Sequence, residues 1–391
     1  MSGSADWIEI RPLRGPLRAT LELPGSKSLT NRALVIGALA DGECRLLGAL
    51  DSDDTRYMAG ALERLGFELS WQRAAREIRI VGRAGAIPAR GAELFGGNAG
   101  TTVRFLASLV ALGHGRFRID GDARMRERPI EDLLVALRAL GVRAETERGN
   151  GCPPFIVDAD GLRGGAASVA GGTSSQYASS ILLAAPYARS DVRLRIVGEL
   201  VGEPFVEMTI GMMGLSGVTV ERSEEGLRVD AGQRYRARDM PIEPDATAAS
   251  YFLAAAALVG GEVTVQRLGS GSLQGDLGFV DVLSEMGARV RADSSGTTVT
   301  GGALRGVDRD FRAISDTFLT AAALAPFASS PTVLRGIGHT RHQETDRVAA
   351  VARELRRLGV TVVEHADALE IHPGAVREGE VETYDDHRIA M

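Results

Sequence analysis

Residues 135–144 read VALRALGVRA, an apolar-periodic helix that ends in Leu-Gly and passes straight into a strand-like segment. The same step returns as ALERLGFEL (61–69), MMGLSGVTV (212–220), LSEMGARV (283–290) and ELRRLGVTV (354–362). Glycine is the expected stop there, because it accepts the left-handed backbone that closes a last helical turn. The five glycines, Gly66, Gly141, Gly217, Gly287 and Gly359, follow one another at steps of 75, 76, 70 and 72 residues. A spacing that regular predicts a structural repeat.

A second marker keeps the same step. Short Gly/Ser/Thr/Asp-rich turns open Ala- and Leu-rich helices at PGSKSLTNRALVIGALA, GGNAGTTVRFLASLVAL, GGTSSQYASSILLAA, PDATAASYFLAAAAL, ISDTFLTAAALA and DDHRIAM. Measured at Ser28, Thr101, Ser175, Thr247, Thr317 and Arg388, the intervals are 73, 74, 72, 70 and 71 residues. Each complete unit reads strand, helix, strand, helix, strand, strand, an α/β pattern with mixed pairing. Six units begin and five finish, since Gly359 plus one period lies past Met391. The sixth repeat is therefore expected to be truncated. Six units divide into two domains of three, and the Pro-containing RDMPIEPDATAAS (238–250) is the expected linker. The segment IEIRPLRGPLRATLEL precedes the first unit and falls outside the repeat.

A chain of 391 residues suits two domains with a core each. Its 44% hydrophobic and 25% charged residues are those of a soluble globular protein, and no apolar run approaches the roughly 18–20 residues of a membrane span. The start, MSGSADWIEIRPLRG, has the layout of neither a secretory signal nor a transit peptide. Cys44 and Cys152, without CxxC spacing, argue against a disulfide framework or a zinc site and predict inert core cysteines in a reducing cytoplasm. A net charge of −6 disfavours a nucleic-acid surface.

Against that acidic background, Lys27 in LPGSKSLTNR is the only lysine, with the other 44 of 45 basic residues written as arginine. Lysine is a compact ammonium that can release its proton, whereas a guanidinium keeps it. The exception predicts a cation that holds a small anion, moves a proton, or both. Helix N-termini present free N–H groups and a positive dipole end to anions. Ser28 and Arg32 share a helix face with Lys27 at its entry; Thr101 and Arg104 follow GGNAG; Ser174, Ser175 and Gln176 stand together in the third unit. Simple capping explains any one of these. Three in register, two of them with a cation, point to phosphate or carboxylate binding. DARMRERPIEDL packs Arg124, Arg126 and Arg128 into five residues, HQETDR sets Glu344 three before Arg347, and TYDDHRIAM joins two acids to His387 and Arg388.

In order along the whole chain, LPGSKSLTNRALV, LDSDDT, GNAGTTVRFL, RMRERPI, GGTSSQY, ISDTF, QETDR and YDDHRIAM form a pattern that resembles the EPSP synthase (3-phosphoshikimate 1-carboxyvinyltransferase) family of enolpyruvyl transferases. The resemblance implies two domains, each of three βαβαββ repeats about a pseudo-threefold axis, an inside-out α/β barrel. Domain 1 would be discontinuous, residues 1–23 plus 243–391, and domain 2 would be 24–242, with the active site in the cleft between them. The implied reaction transfers the enolpyruvyl group of phosphoenolpyruvate to the 5-hydroxyl of shikimate 3-phosphate and releases phosphate through a tetrahedral intermediate. No metal or organic cofactor is implied, and the family's inhibition by glyphosate is.

By the same resemblance, Lys27, Ser28, Arg32, Ser174, Ser175, Gln176, Asp316 and Gln343 would hold shikimate 3-phosphate. Lys27, Gly100, Thr101, Arg128, Gln176, Arg347 and Arg388 would hold phosphoenolpyruvate. Lys27, Asp316 and Glu344 would move protons, supported by Asn98, Arg104 and His387. Gln343 stands where some relatives have Lys, and Gly202 and Phe205 where relatives often have Ser and Tyr. The family's C-terminal lysine falls beyond Met391, which implies weak or no activity for the chain as given. The sister UDP-N-acetylglucosamine enolpyruvyl transferases usually carry a reactive cysteine before the Arg-Pro of the second unit, where this chain has Ala123. A non-catalytic anion-binding remnant is the reading from another class. The implied partners are the two small-molecule substrates, with no nucleic acid or membrane, on a monomer.

Overall fold

The computed structural model describes residues 15–391. The expectations placed on residues 1–14, the absence of a targeting segment and the start of the first strand segment and of domain 1, lie outside these. Helix α1 is Lys27–Leu39, α2 Asp53–Arg64, α3 Gly100–Val110, α4 Glu131–Ala139, α5 Ser175–Ala184 and α6 Glu203–Leu215. Then come α7 Ala246–Val259, α8 Phe279–Glu285, α9 Phe318–Leu324, α10 Arg347–Arg357 and the single turn α11, His387–Ala390. Helices α2, α4, α6, α8 and α10 each stop two residues before one of the five periodic glycines, and all five have positive φ, between 86° and 111°.

Five four-stranded mixed sheets stand among the described residues, all with one pattern. In the second unit, Gly91–Phe95 runs parallel to His114–Asp120, which pairs antiparallel with Phe155–Asp160, which in turn pairs antiparallel with Arg143–Thr146. A first strand thus lies beside the second, and the fourth separates the second from the third. The helix–strand alternation supplies the parallel pair, because a parallel return needs a crossover, and the short link before the last strand supplies the antiparallel one.

Two sheets trade their first strands. Leu17–Leu21 precedes α1 but pairs in parallel with Gly261–Gln266, after α7. Asp239–Pro241, within the expected linker, is instead a strand paired in parallel with Glu43–Leu47. Both link segments meet where the chain crosses: Ser26 N–H donates to Glu243 O at 2.8 Å and Asp245 N–H to Pro24 O at 3.0 Å. The buried apolar residues form two clusters, a larger one from Leu29 to Ile242 and a second that takes Leu23 and then Ala246 to Ile371. These clusters define the two halves referred to below.

Cys44 is buried in the larger cluster as expected, but Cys152 is not a core residue. It sits half-buried in the turn after Asn150, whose Oδ1 accepts its N–H at 3.1 Å, because a turn between strands leaves no second layer to cover it. No described helix is long and apolar enough to cross a membrane, and no described group of His, Cys, Asp or Glu is arranged to hold a metal ion.

The traded strand depends on a glycine. Gly261, opposite Leu17, has φ +100°, and a Cβ there would lie 2.0 Å from Leu17 O. Gly261→Ala is expected to lower the free energy of unfolding by about 1–3 kcal/mol, the usual cost of a forced left-handed residue. Urea unfolding checks this against Arg18→Ala, an exposed change on the same strand that should stay within about 0.5 kcal/mol of the parent.

Candidate active site

The helix openings of the larger half converge on one cavity of about 380 Å³. Lys27, Ser28 and Arg32 come from the first turns of α1, Gly100, Thr101 and Arg104 from α3, and Ser174, Ser175 and Gln176 from the start of α5. Arg128 follows the short turn Met125–Glu127. The second half supplies Asp316 from the turn Arg312–Thr317, Gln343 and Glu344 just before α10, Arg347 at its first residue, and Arg388 in α11. Of the expected site residues, only Asn98 and His387 stay off the wall. Asn98 lies behind Arg128, whose NH1 donates to its O and Oδ1 at 2.9 and 3.0 Å. His387 opens α11, and partial desolvation, Lys27 and Arg388 push its ring down to about 4, so it is neutral at pH 7.

The three openings differ. No side chain caps α1 or α3, so their first N–H groups stay free for the cavity. In α5, Ser174 accepts the Gln176 N–H at 3.3 Å and uses part of that capacity. Gly100 permits close packing: a Cβ there would lie 2.5 Å from Arg104 NH1 and 2.7 Å from Arg128 NH2. Gln176 links the second and third openings, accepting from Arg104 NH1 at 2.6 Å and donating to Thr101 Oγ1 at 3.2 Å. Arg104 also lies over the Tyr177 ring, 5.5 Å from its centre.

Six cations and three acids line the wall, a surplus of three positive charges inside a protein of net charge −6. Arg32 is a strut: Nε donates to Thr209 Oγ1 at 2.7 Å, NH1 to Ser28 O at 3.0 Å and NH2 to Phe205 O at 2.9 Å. Burial pulls its guanidinium down to about 9, still charged at neutral pH. Arg128 is pulled down to about 10 by desolvation, with Arg104 and Arg347 adding repulsion against the nearby Glu344. Its Nε is buried with no hydrogen-bond partner. Lys27 Nζ is 3.1 Å from Asp54 Oδ2, and its N–H points at Asp245 Oδ2 at 3.3 Å.

Arg347, 2% exposed at its side chain, lies 2.8 Å from Asp386, 2.9 Å from Glu344 and 3.1 Å from Asp316. Arg388 NH2 lies 2.7 Å from the other oxygen of Asp316. Desolvation works to raise the Asp316 and Glu344 carboxyls, and the cations outweigh it. Arg388 and Arg347 lower Asp316, while Arg347, Arg128 and Lys27 hold Glu344 well below the usual carboxylate range. The arrangement stores paired charges that two multiply anionic ligands can reorganise, with a lysine and two carboxylates in reach of what they bind.

Comparison with known proteins now decides the family. A family model described as EPSP synthase (3-phosphoshikimate 1-carboxyvinyltransferase) matches residues 13–391. The chain belongs to the EPSP synthase family. The 3-phosphoshikimate 1-carboxyvinyltransferase of Nostoc punctiforme is 46% identical over 388 residues, 99% of this chain and 91% of that one. The enzyme of the same name from Thiobacillus denitrificans is 45% identical over 393 residues, 98% of this chain and 92% of that one. The EPSP synthase structure from Acinetobacter baumannii shares the fold, with TM-score 0.81 at 24% identity, covering 97% of this chain and 88% of that one. The enolpyruvyl transferase NikO of Streptomyces tendae shares it more distantly, with TM-score 0.68 at 18% identity, covering 92% of this chain and 83% of that one.

For this EPSP synthase-family chain, sequence reasoning missed several wall residues, among them Asp54, Ser315, His339 and His342. Asp54 was within reach, since LDSDDT places two acids in a first helical turn. The histidines were not, because nothing in GHTRHQ tells which way an irregular turn faces. Gly202 and Phe205, singled out as departures, both line the cavity.

A further acid lies under the site. Asp276, in the turn Gly275–Gly278 packed against the Asp316 turn, accepts from Thr247 Oγ1 at 2.7 Å through Oδ2, and its buried Oδ1 has no partner. Desolvation and then Asp316 push it up to about 7. Its folded pKa lies above the unfolded value near 4, so the stability it gives by holding a proton is full below about pH 4 and is lost as pH rises through about 7. Asp276→Asn keeps an acceptor for Thr247 and removes that loss. It is expected to raise the melting temperature relative to the parent more at pH 8 than at pH 4, a difference on the order of a few kcal/mol at most, read by calorimetry at both pH values.

Proposed function

We infer that this chain transfers the enolpyruvyl group of phosphoenolpyruvate to the 5-hydroxyl of shikimate 3-phosphate and releases phosphate. The observation that carries the reading is the cavity's surplus of three positive charges, with the buried Arg128 Nε still unpartnered, in a chain that belongs to this family. Shikimate 3-phosphate takes Lys27, Ser28, Arg32, Ser174, Ser175, Gln176, Asp316 and Gln343. Arg32 acts there chiefly by fixing Ser28, since its guanidinium is engaged by Thr209, Phe205 and the Ser28 carbonyl. Phosphoenolpyruvate takes Lys27, Gly100, Thr101, Arg128, Gln176, Arg347 and Arg388, where arginine forks match its carboxylate and phosphate.

In the addition step, a proton goes to the methylene carbon of phosphoenolpyruvate, the neighbouring carbon becomes electrophilic, and the 5-hydroxyl oxygen attacks it while giving up its proton. In the elimination step, a methyl proton leaves, the double bond re-forms and phosphate departs with the C–O electron pair. Asp316 takes and returns the hydroxyl proton, Glu344 serves the methylene carbon, and Lys27 stands between the two substrates. The resting Glu344 is a carboxylate, held so by Arg347, Arg128 and Lys27 against desolvation. Anionic substrates neutralise those cations, which raises its proton affinity when a proton is needed.

The same reading divides the chain into a discontinuous domain of residues 1–23 and 243–391 and a domain of 24–242. Each is built on βαβαββ units about a pseudo-threefold axis, and the substrates bind in the cleft between them. It places a monomeric enzyme in the cytoplasm. The relatives' shared name sets aside UDP-N-acetylglucosamine as acceptor.

The test is phosphate release from phosphoenolpyruvate. Release is expected with shikimate 3-phosphate and not with UDP-N-acetylglucosamine; the reverse would move the chain to the sister reaction. Lys27→Arg keeps the charge but not the exchangeable proton or the compact shape. It should lower kcat by roughly 10²-fold or more while calorimetric binding of shikimate 3-phosphate weakens far less. Near-normal kcat would remove Lys27 from proton transfer.

A further inference from the structure

The three arginines of DARMRERP have three fates. Arg126 turns back, donating to both oxygens of Asp120 at 2.9 and 2.8 Å. Arg128 faces the cavity. Arg124 does neither: it leaves its own half, donating through Nε to Glu344 O at 3.1 Å and through NH2 to Gln343 O at 2.9 Å. Its NH1 is held by Glu127 Oε2 at 2.9 Å. It does not line the cavity, so no substrate contact accounts for it.

Both ends of this contact are informative. The giving segment is firm: Met125 N–H donates to Asp122 Oδ1 at 2.9 Å, Asp122 N–H to Gly97 O at 3.1 Å, and Gly121 N–H to Asp120 Oδ1 at 2.8 Å. The receiving segment joins the turn Gly338–His342 to α10, and its Gln343 N–H reaches Thr340 O only at 3.4 Å. There the Glu344 carboxylate lies 2.9 Å from Arg347 on its own half and 3.7 Å from Arg128 across the cleft.

We propose that Arg124 is a positioning residue for Glu344: by gripping the carbonyls of Gln343 and Glu344 across the cleft, it sets the carboxylate between Arg128 and Arg347 when the two halves meet. The proposal deepens the reading above and rests on Glu344 serving the methylene carbon. The planar fork suits the task, because two N–H groups at fixed spacing address two successive carbonyls, which a single ammonium cannot do with the same geometry. Arg124 is partly exposed, so water replaces these bonds when the halves part and the grip is reversible. A second bridge, Arg312 with Glu199, also spans the halves but touches nothing near Glu344. Adhesion alone therefore has another agent, and the contact to Glu344 is what distinguishes Arg124.

The experiment is a kinetic cycle on the full chain: Arg124→Met and Arg124→Lys, each alone and combined with Glu344→Gln, with kcat, KM and calorimetric binding of shikimate 3-phosphate. Arg124→Met should lower kcat about 10- to 100-fold, as misplacement of an acid/base group does, while shikimate 3-phosphate affinity changes less than about 3-fold. Arg124→Lys should recover part of the loss. Combined with Glu344→Gln, Arg124→Met should cost no more than about 2-fold, because the group it positions is gone. The proposal is overturned by a kcat within about 3-fold of the parent in Arg124→Met, by a loss seen only in KM, or by a full loss persisting beside Glu344→Gln. If Glu344→Gln alone keeps the parent kcat, the assignment of Glu344 fails instead, and the positioning role falls with it. The unfolding midpoint of Arg124→Met, expected to match the parent, separates these outcomes from misfolding.

Discussion

The site is organised around one buried guanidinium. Arg347 is almost without solvent, and three carboxylates from three separate segments close on it: Asp386 beside α11, Asp316 from a turn before α9, and Glu344 three residues ahead. A buried cation with fewer partners would cost several kcal/mol, so the segments cannot relax away independently. Arg388 completes the set by taking the free oxygen of Asp316. The acid that meets the acceptor hydroxyl and the acid that meets the methylene carbon are thus fixed by the same cation, and a shift in either is felt by the other.

The opposite wall is built on another basis. There the cations are supported by neutral groups: Arg32 by hydroxyls and carbonyls, Arg128 by Asn98, Arg104 by Gln176 and the Tyr177 ring. Neutral partners leave the positive charge uncancelled, and this wall holds most of the surplus. One side presents charge to be neutralised and the other presents acids poised against arginines, so bringing both anions in changes the two sides in opposite senses.

Much of this could be read from the sequence wherever local chemistry sets the outcome. Helix stops at glycine and openings at Gly/Ser/Thr turns depend on neighbours a few residues away, so the periodic marks found the elements and most of the wall. What stayed hidden depends on distant partners. Leu17–Leu21 pairs after α7 rather than in the first sheet, and no short-range pattern encodes that choice. Arg124, Arg126 and Arg128 alternate along one stretch, yet one turns to its own strand, one to the cavity and one across the cleft. Cys152 shows the limit from the other side, since a hydrophobic residue type does not ensure a covered position.

The exchanged strand also bears on how the chain is made. Leu17 and its partner Gly261 are 244 residues apart, so the strand leaves the ribosome long before the sheet that receives it. At roughly 5–20 residues per second, that interval is about 10–50 s. For that time a five-residue strand has no native neighbour, while the sheets of the larger half have theirs within easy reach. The order of synthesis therefore favours completion of the larger half first, and the second half is sealed last by the oldest residues it contains.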